Sequence, residues 1–526
     1  MFQSTKRFVA TFYKHVTLNN TTLIFFVVAL LHSLAQGVIQ SLLFTIDHQY
    51  TGLLSTIISR TSPPHTNFTF LTNDRMNGDF TGFKLMMCND IPSGASLDPC
   101  TVVFDDEERA TMNSSGTQSL SYDSASSIEV RLVNSTDVGL FFPGEPIAVT
   151  TLNSQCIKVL DYPRQLMYNY RREDLTFIFV QFWLFGVSVS AVVFNSVPHT
   201  LTLLLARALI TAWSAYAIWR TQHLEEVFRL LFINPDSPCH IDLWPGYGQA
   251  RLSAEIPDLI LNCTALLLSC ALGYRLVKTY NQQSFMRMGP PPQIVRIYKY
   301  FMAVFVVLQL STLFTTIAVG LWVDQLMNTA IGRTAEFLPL YKAGVLLGLL
   351  SLIPWITLGY YAVRKEHKKM MTAFLAIGLC VLIVWSTTFY SSLYRWTLKE
   401  WPFILGFTIY SFMLIIASIV LGTLCWFNFG KGLAQYLHAE AALAKSNFAP
   451  SVFRHDPEAA SISSSSAHEL GTDAEKIDRA LADYPPSPIY DQNARYPSSK
   501  GQRDHDEGNP IPTFYLPTLT SCNPKD

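Results

Sequence analysis

Charge is scarce in this 526-residue chain: 15% of it is Asp, Glu, Lys or Arg, against 49% hydrophobic residues. Soluble domains carry about a quarter charged residues, so the deficit points to lipid as a solvent. Net charge is −1, which removes any bulk electrostatic basis for binding nucleic acid. Nine cysteines are too few and too scattered for a disulfide-dense scaffold or a zinc module. The chain has no Walker loop, no G-x-G-x-x-G after a strand, no G-x-S-x-G elbow and no H-E-x-x-H. It is therefore expected to be no enzyme and to need no cofactor. The twelve histidines are dispersed. His505 between Asp504 and Asp506 comes nearest to a metal cluster, but a metal site needs a held geometry that a polar tail does not supply.

What is present is a set of apolar runs of bilayer length. They lie at Leu23–Ile46, Leu175–Phe194, Leu201–Trp219, Ile256–Leu272, Phe301–Val323, Leu338–Val363, Thr372–Tyr390 and Phe403–Phe427. Each must be helical, because lipid offers no partner to backbone N–H and C=O groups. Pro354 should kink the sixth. The expected fold is thus an α-helical membrane protein with about eight transmembrane helices. A small β-rich extracellular or lumenal domain stands between helices 1 and 2, and a disordered cytosolic tail ends the chain. The domains read as a cytosolic N-terminus (1–22), a signal-anchor helix (23–46), a glycosylated outer domain (47–174) and a seven-helix bundle (175–428). A juxtamembrane amphipathic helix (429–448) and the tail (449–526) follow.

Orientation comes from lysine and arginine in short loops. One set of connections carries Lys6, Arg7 and Lys14, then Arg275, Lys278, Arg287, Arg296 and Lys299, then Arg364, Lys365, Lys368, Lys369 and Lys431. In the alternate set the basic residues sit beside acids, as Arg171 and Arg172 do beside Glu173 and Asp174. Both termini are therefore expected in the cytosol. Glycosylation sequons at Asn67, Asn113 and Asn134 all fall on the opposite side. The sequon at Asn262 falls inside the fourth span and reads as chance. A cleaved signal peptide is the alternative for the first span, but its apolar run is longer than a signal h-region.

The outer segment reads as β-rich, with strand-like stretches at Phe80–Met87, Thr101–Phe104, Ser127–Val133 and Ile147–Leu152. Cys88, Cys100, Cys156 and Cys239 share the oxidising side, and four cysteines allow three pairings. Asp90, Pro92, Gly94 and Pro99 make a turn-rich loop that a Cys88–Cys100 bridge would close. That leaves Cys156–Cys239 to pin the domain to the bundle. His223–Phe232 carries apolar residues at Leu224, Val227, Phe228 and Leu231. This spacing fits an amphipathic helix on the outer surface or under the outer domain, and equally an extension of the third span.

Ionisable groups inside spans are costly and default to functional candidates. Arg207 lies roughly 9 Å from the cytosolic end of its span. His32, Gln36 and Gln40 recur every four residues on one face of the first span, Asp258 and Asn262 share a face of the fourth, and Gln309 lies in the fifth. Either Arg207 and the His32–Gln36–Gln40 stripe line a pocket or polar path, or Arg207 snorkels and the glutamines join helices. Snorkelling is the favoured reading, since it reaches most of that depth.

Certain strings resemble one group of sequences: WRTQHLEEVFR at Trp219–Arg229, EIPDLILNCTALL at Glu255–Leu267 and RIYKYF at Arg296–Phe301. LWVDQLMNTAIGR at Leu321–Arg333 and NFGKGLAQYLHAEAALA at Asn428–Ala444 extend the set. From about Arg171 to Pro450 the chain is similar to a polytopic membrane-protein family of fungi, chiefly basidiomycetes, that has no established activity. The resemblance implies architecture and a fungal source, and no mechanism. The expected role is a cell-surface sensor or receptor-like protein, at the plasma membrane rather than an endomembrane. Its partners would be the lipid bilayer, an extracellular ligand or wall component, and cytosolic proteins recruited by the tail. A transporter or channel, or a membrane scaffold, is the alternative.

Overall fold

The computed structural model describes residues 12–13, 15–17, 19–61, 68–72, 84–92, 99–105, 118–119, 128–133, 137–141, 150–234, 237–288, 292–334 and 338–431. The sequons at Asn67, Asn113 and Asn134, most of the juxtamembrane helix and the whole tail lie outside the described residues.

Among the described residues, eight helices are long and apolar enough to cross a membrane. They are α1 (Asn20–Thr61), α3 (Asp161–Val193), α4 (Val197–Phe228), α5 (Tyr247–Met288), α6 (Pro292–Asn328), α7 (Leu338–Arg364), α8 (Lys368–Tyr390) and α10 (Pro402–Phe427). Two short helices, α2 (Ser154–Val159) and α9 (Ser392–Glu400), join them. The protein is an integral, multi-pass membrane protein. The exposed residues of α1 make the physical case. Leu31, Leu34, Val38 and Leu42 are 54–61% exposed, whereas Gln36 is 0% exposed and His32 and Gln40 are 5% exposed. A helix that shows leucine outward and buries glutamine is inside out for water and right for lipid.

The helices pack as two groups. In the first, α1 runs along α3 and α5, and α4 along α3 and α5. In the second, α6, α7, α8 and α10 pack together, and α4 against α6 links the two. The second group is almost wholly apolar inside, with Trp355 stacked on Phe374 at 5.4 Å. There α7 approaches α8 closely at Gly359, where an added Cβ would lie 2.7 Å from a Phe374 ring carbon. Pro354 lies within α7, which continues through it, and Pro257 does the same in α5.

Among the described residues, eight strands form three small sheets. In the first, β1 (Phe68–Thr72), β2 (Lys84–Cys88) and β3 (Cys100–Asp105) pair antiparallel in that order. In the second, β5 (Glu129–Leu132), β6 (Val138–Phe141) and β7 (Thr150–Leu152) do the same. The third pairs β4 (Gln118–Ser119) in parallel with β8 (Ile241–Asp242) of the loop after the third span. All four strand-like stretches read from the sequence overlap a strand, while β1, β4, β6 and β8 were not anticipated. Cys88 is bonded to Cys100, its cross-strand neighbour, and Cys156 to Cys239, the pairing expected from the sequence.

Two boundaries shift. Both flanking helices run into the segment 47–174: α1 continues to Thr61 and α3 begins at Asp161. These extensions are stabilised by protein rather than lipid: Leu54 and Ile57 of α1 and Met167 of α3 are fully buried with Leu85, Leu140 and Leu152 of the sheets. His223–Phe232 is not a separate surface helix. It continues α4 into a one-turn π-helical segment, Arg229–Ile233, with Leu224, Val227, Phe228 and Leu231 buried beneath the sheets. Next to it, burial pushes the Asp242 carboxyl above the usual range, and the Trp244 amide that donates to it at 2.9 Å opposes the shift.

Candidate functional site

Three polar layers follow one another along the seam between α1, α3, α4 and α5. Nearest the cytosolic end by the charge rule, Arg207 of α4 contacts His32 Nδ1 of α1 at 3.2 Å. Arg207 is 4% exposed, so its guanidinium is turned into the bundle. The favoured snorkelling reading is thereby corrected, because a side chain reaching for headgroups would leave its tip accessible. A neighbouring helix supplies the imidazole acceptor. Lysine cannot reproduce the planar guanidinium fork. Arg207→Lys is therefore expected to lower stability by about 1–3 kcal/mol. Thermal unfolding of Arg207→Lys, His32→Ala and the double variant would check it, and additive losses would mean that the contact carries no energy.

The middle layer surrounds Asp258 of α5. Gln40 donates to Asp258 Oδ1 at 2.8 Å, and Gln36 donates to the same oxygen. Ser214 of α4 donates to Oδ2 at 2.7 Å, and Asn262 donates to Oδ2 at 3.0 Å and to Ser214 at 2.9 Å. The fourth-span sequon is occupied in this way: the Asn262 amide is buried and bonded, which leaves it unavailable for glycosylation. Here the glutamines do join helices, but around a carboxylate.

The outer layer was not anticipated. Arg251 of α5 is paired with Asp47 of α1, donates to Glu255 at 2.7 Å and lies 3.7 Å from Asp174. Tyr247 donates to Asp47 at 2.9 Å, and Thr221 to Glu255 at 2.9 Å. Beside this, Arg220 of α4 pairs with Glu173 at 2.8 Å, and the Trp401 indole donates to the same carboxylate at 2.8 Å. The Arg220 guanidinium also sits 4.0 Å from the Tyr170 ring centroid. Sequence contained a signal for this layer. Arg251, Glu255, Asp258 and Asn262 recur at spacings of four, three and four, which is one helix face.

From His32 to Thr51 the polar face of α1 spans about 28 Å at 1.5 Å per residue. Of the candidates named from sequence, His32 and Arg207 meet, and Gln36, Gln40, Asp258 and Asn262 meet. Gln309 joins neither group, and its carbonyl oxygen is buried without a partner.

Above the outer layer lies a cavity of about 630 Å³ between the β-domain and the bundle. Phe68 and Thr69 of β1, Thr51 and Ser55 of α1, Gln165, Tyr168 and Asn169 of α3, Gln325 and Asn328 of α6, and Trp396 and Trp401 line it. Arg172, behind the lining, holds three of these residues, Asn169, Gln325 and Trp401. The arginine donates to Gln325 at 2.6 Å, pairs with Asp324 at 2.5 Å and lies 4.4 Å from the Trp401 ring centroid. Trp401 is thus shared between the cavity wall and the Glu173–Arg220 pair. No group of three or more His, Cys, Asp or Glu among the described residues is placed to hold a metal ion. The chain matches no protein family, no curated protein and no solved structure, so its site rests on its own residues alone.

Proposed function

We propose that the protein is a plasma-membrane sensor that binds a small, hydroxylated ligand in the outer cavity. The observation that carries this reading is the 630 Å³ cavity, whose lining mixes aromatic rings with amides and hydroxyls beside the charged Arg164, Arg171 and Glu400. Ring faces stack on the apolar faces of a sugar-like molecule, while Asn169, Gln165, Asn328, Thr51 and Ser55 offer donors and acceptors around its rim. Trp401 connects a filled cavity to Glu173 and Arg220, and so to the polar seam below. A fungal source would supply wall saccharides as ligands, and the cytosolic tail would recruit partners.

Thermal unfolding of the full chain in nanodiscs against a panel of neutral mono- and oligosaccharides tests the reading. A ligand present at 100 times its Kd should stabilise the fold by about 2.7 kcal/mol. Asn169→Leu and Asn328→Leu should erase that gain, each measured against its own unliganded fold, because Asn169 accepts from Arg172 and Asn328 donates to Asp324. A panel that leaves the wild-type protein unmoved would defeat the reading. The outward face of the cavity is tested separately. Endoglycosidase should collapse the gel band, and substituting Gln at Asn67, Asn113 and Asn134 together should remove the shift. A tag after Asp526 that is reachable from outside intact cells would reverse the topology.

A transporter is the second reading, favoured by the length of the polar seam across the bundle. Solute flux that persists in Asn169→Leu, with no ligand-induced stabilisation, would support it.

A further inference from the structure

Asp258 sits in the membrane with donors that are all neutral. Gln36, Gln40, Ser214 and Asn262 saturate its two oxygens, and none of them balances its charge. The nearest cations on α4, Arg220 and Arg207, are six and seven residues from Ser214, about 9 and 10 Å along the helix, and are turned to Glu173 and His32. A carboxylate so placed is costly unless a positive species joins it.

A second observation indicates what joins it. Gln36 and Gln40 are 0% and 5% exposed, and each has a buried carbonyl oxygen with no partner. An unsatisfied buried acceptor is rare and calls for an explanation. Amide oxygen and nitrogen exchange places by a half-turn about the terminal torsion. With that turn, Gln36 Oε1 and Gln40 Oε1 face the centre together with both Asp258 oxygens and Ser214 Oγ, an all-oxygen set with one formal negative charge, while Asn262 stays bonded to His32, Ser214 and Asp258.

We infer that Asp258, Gln36, Gln40 and Ser214 form an intramembrane site for a small hard monovalent cation, sodium. A lone carboxylate with neutral oxygens balances one positive charge. It lacks the thiolate or imidazole ligands that select zinc, and the extra carboxylates that hold calcium tightly. Entry is from the outer side. Glu255 lies one turn above Asp258 and keeps Oε2 without a partner, as Asp174 does its Oδ2. Four carboxylates against two guanidiniums give the outer layer a negative field that concentrates cations. On the cytosolic side Arg207 presents a positive charge, an electrostatic barrier to onward passage. The site is therefore filled and emptied from outside, and does not depend on the cavity above having a saccharide ligand.

The test uses full-length protein in nanodiscs at pH 8, with radioactive sodium binding and thermal unfolding. Sodium chloride is compared with potassium and N-methylglucamine chlorides at equal ionic strength. Saturable sodium binding and a sodium-specific rise in Tm are expected. Asp258→Asn should abolish both and raise Tm in the absence of sodium. Gln40→Leu keeps the carboxylate and should weaken binding at least about tenfold, which serves if Asp258→Asn fails to fold. Equal Tm in all three salts with no saturable binding overturns the inference. So does a Tm that depends on pH while ignoring sodium, because the proton is then the occupant.

Discussion

Arg251→Leu is expected to be the most damaging single substitution in the membrane-spanning part of the protein. Arg251 is 2% exposed and holds Asp47, Glu255 and Asp174 from three helices. Its removal leaves those carboxylates facing one another without a counter-charge, and breaking a buried pair from one side costs about 3–5 kcal/mol. Arg251→Lys retains the charge but cannot serve Asp47 and Glu255 together with one compact ammonium, so an intermediate loss is expected. Removing the acid as well should recover part of the stability, because Asp47→Asn in the Arg251→Leu background relieves one unpaired charge. Size-exclusion profiles and unfolding temperatures of the three variants measure this. Wild-type behaviour of Arg251→Leu would show that water or lipid headgroups solvate the layer.

The second large effect is expected on opening the Cys156–Cys239 bridge. It joins the start of the second span to the loop after the third, across 83 residues, whereas Cys88–Cys100 closes 12. Chain entropy alone gives about 4.5 kcal/mol for the longer loop and about 2.8 kcal/mol for the shorter. The bilayer already restrains α3 and α4 in the unfolded reference, so the longer bridge should deliver less than its full value. Cys156→Ser should still lower Tm more than Cys88→Ser, and should loosen β8 and the π-helical turn before the bundle. Peptide mapping without reductant checks the pairing, and equal Tm losses in the two variants would refute the ranking.

Much of the fold was legible because lipid imposes a simple rule. Runs such as Phe403–Phe427 and Thr372–Tyr390 match α10 and α8 to within a few residues, since both ends meet water or headgroups. The ends of α1 and α3 were not legible, because protein packing sets them. Leu53, Leu54, Ile57 and Ile58 continue the helical period past Asp47, but the apolar run ends at Ile46. Strand β1 was hidden for a related reason. Its alternation, Phe68-Thr69-Phe70-Leu71-Thr72, is only five residues long and overlaps a sequon. For the site, sequence identified individual polar residues and their shared faces. It did not reveal that Gln36 would meet Asp258, 222 positions away, or that Arg251 would meet Asp47. Those partnerships depend on which helices become neighbours, and hydropathy says nothing about that.

The continuous extension of α1 also has a mechanical consequence. No break separates Gln40, beside Asp258, from Ile57, beneath the sheets, so the helix acts as a lever with its fulcrum near Asp47. Force applied to the β-domain cannot dissipate in a slack stalk. It must tilt or slide the lever, and the arm inside the bilayer moves the two glutamines relative to α5. Tension on the outer domain would thereby change the geometry around Asp258.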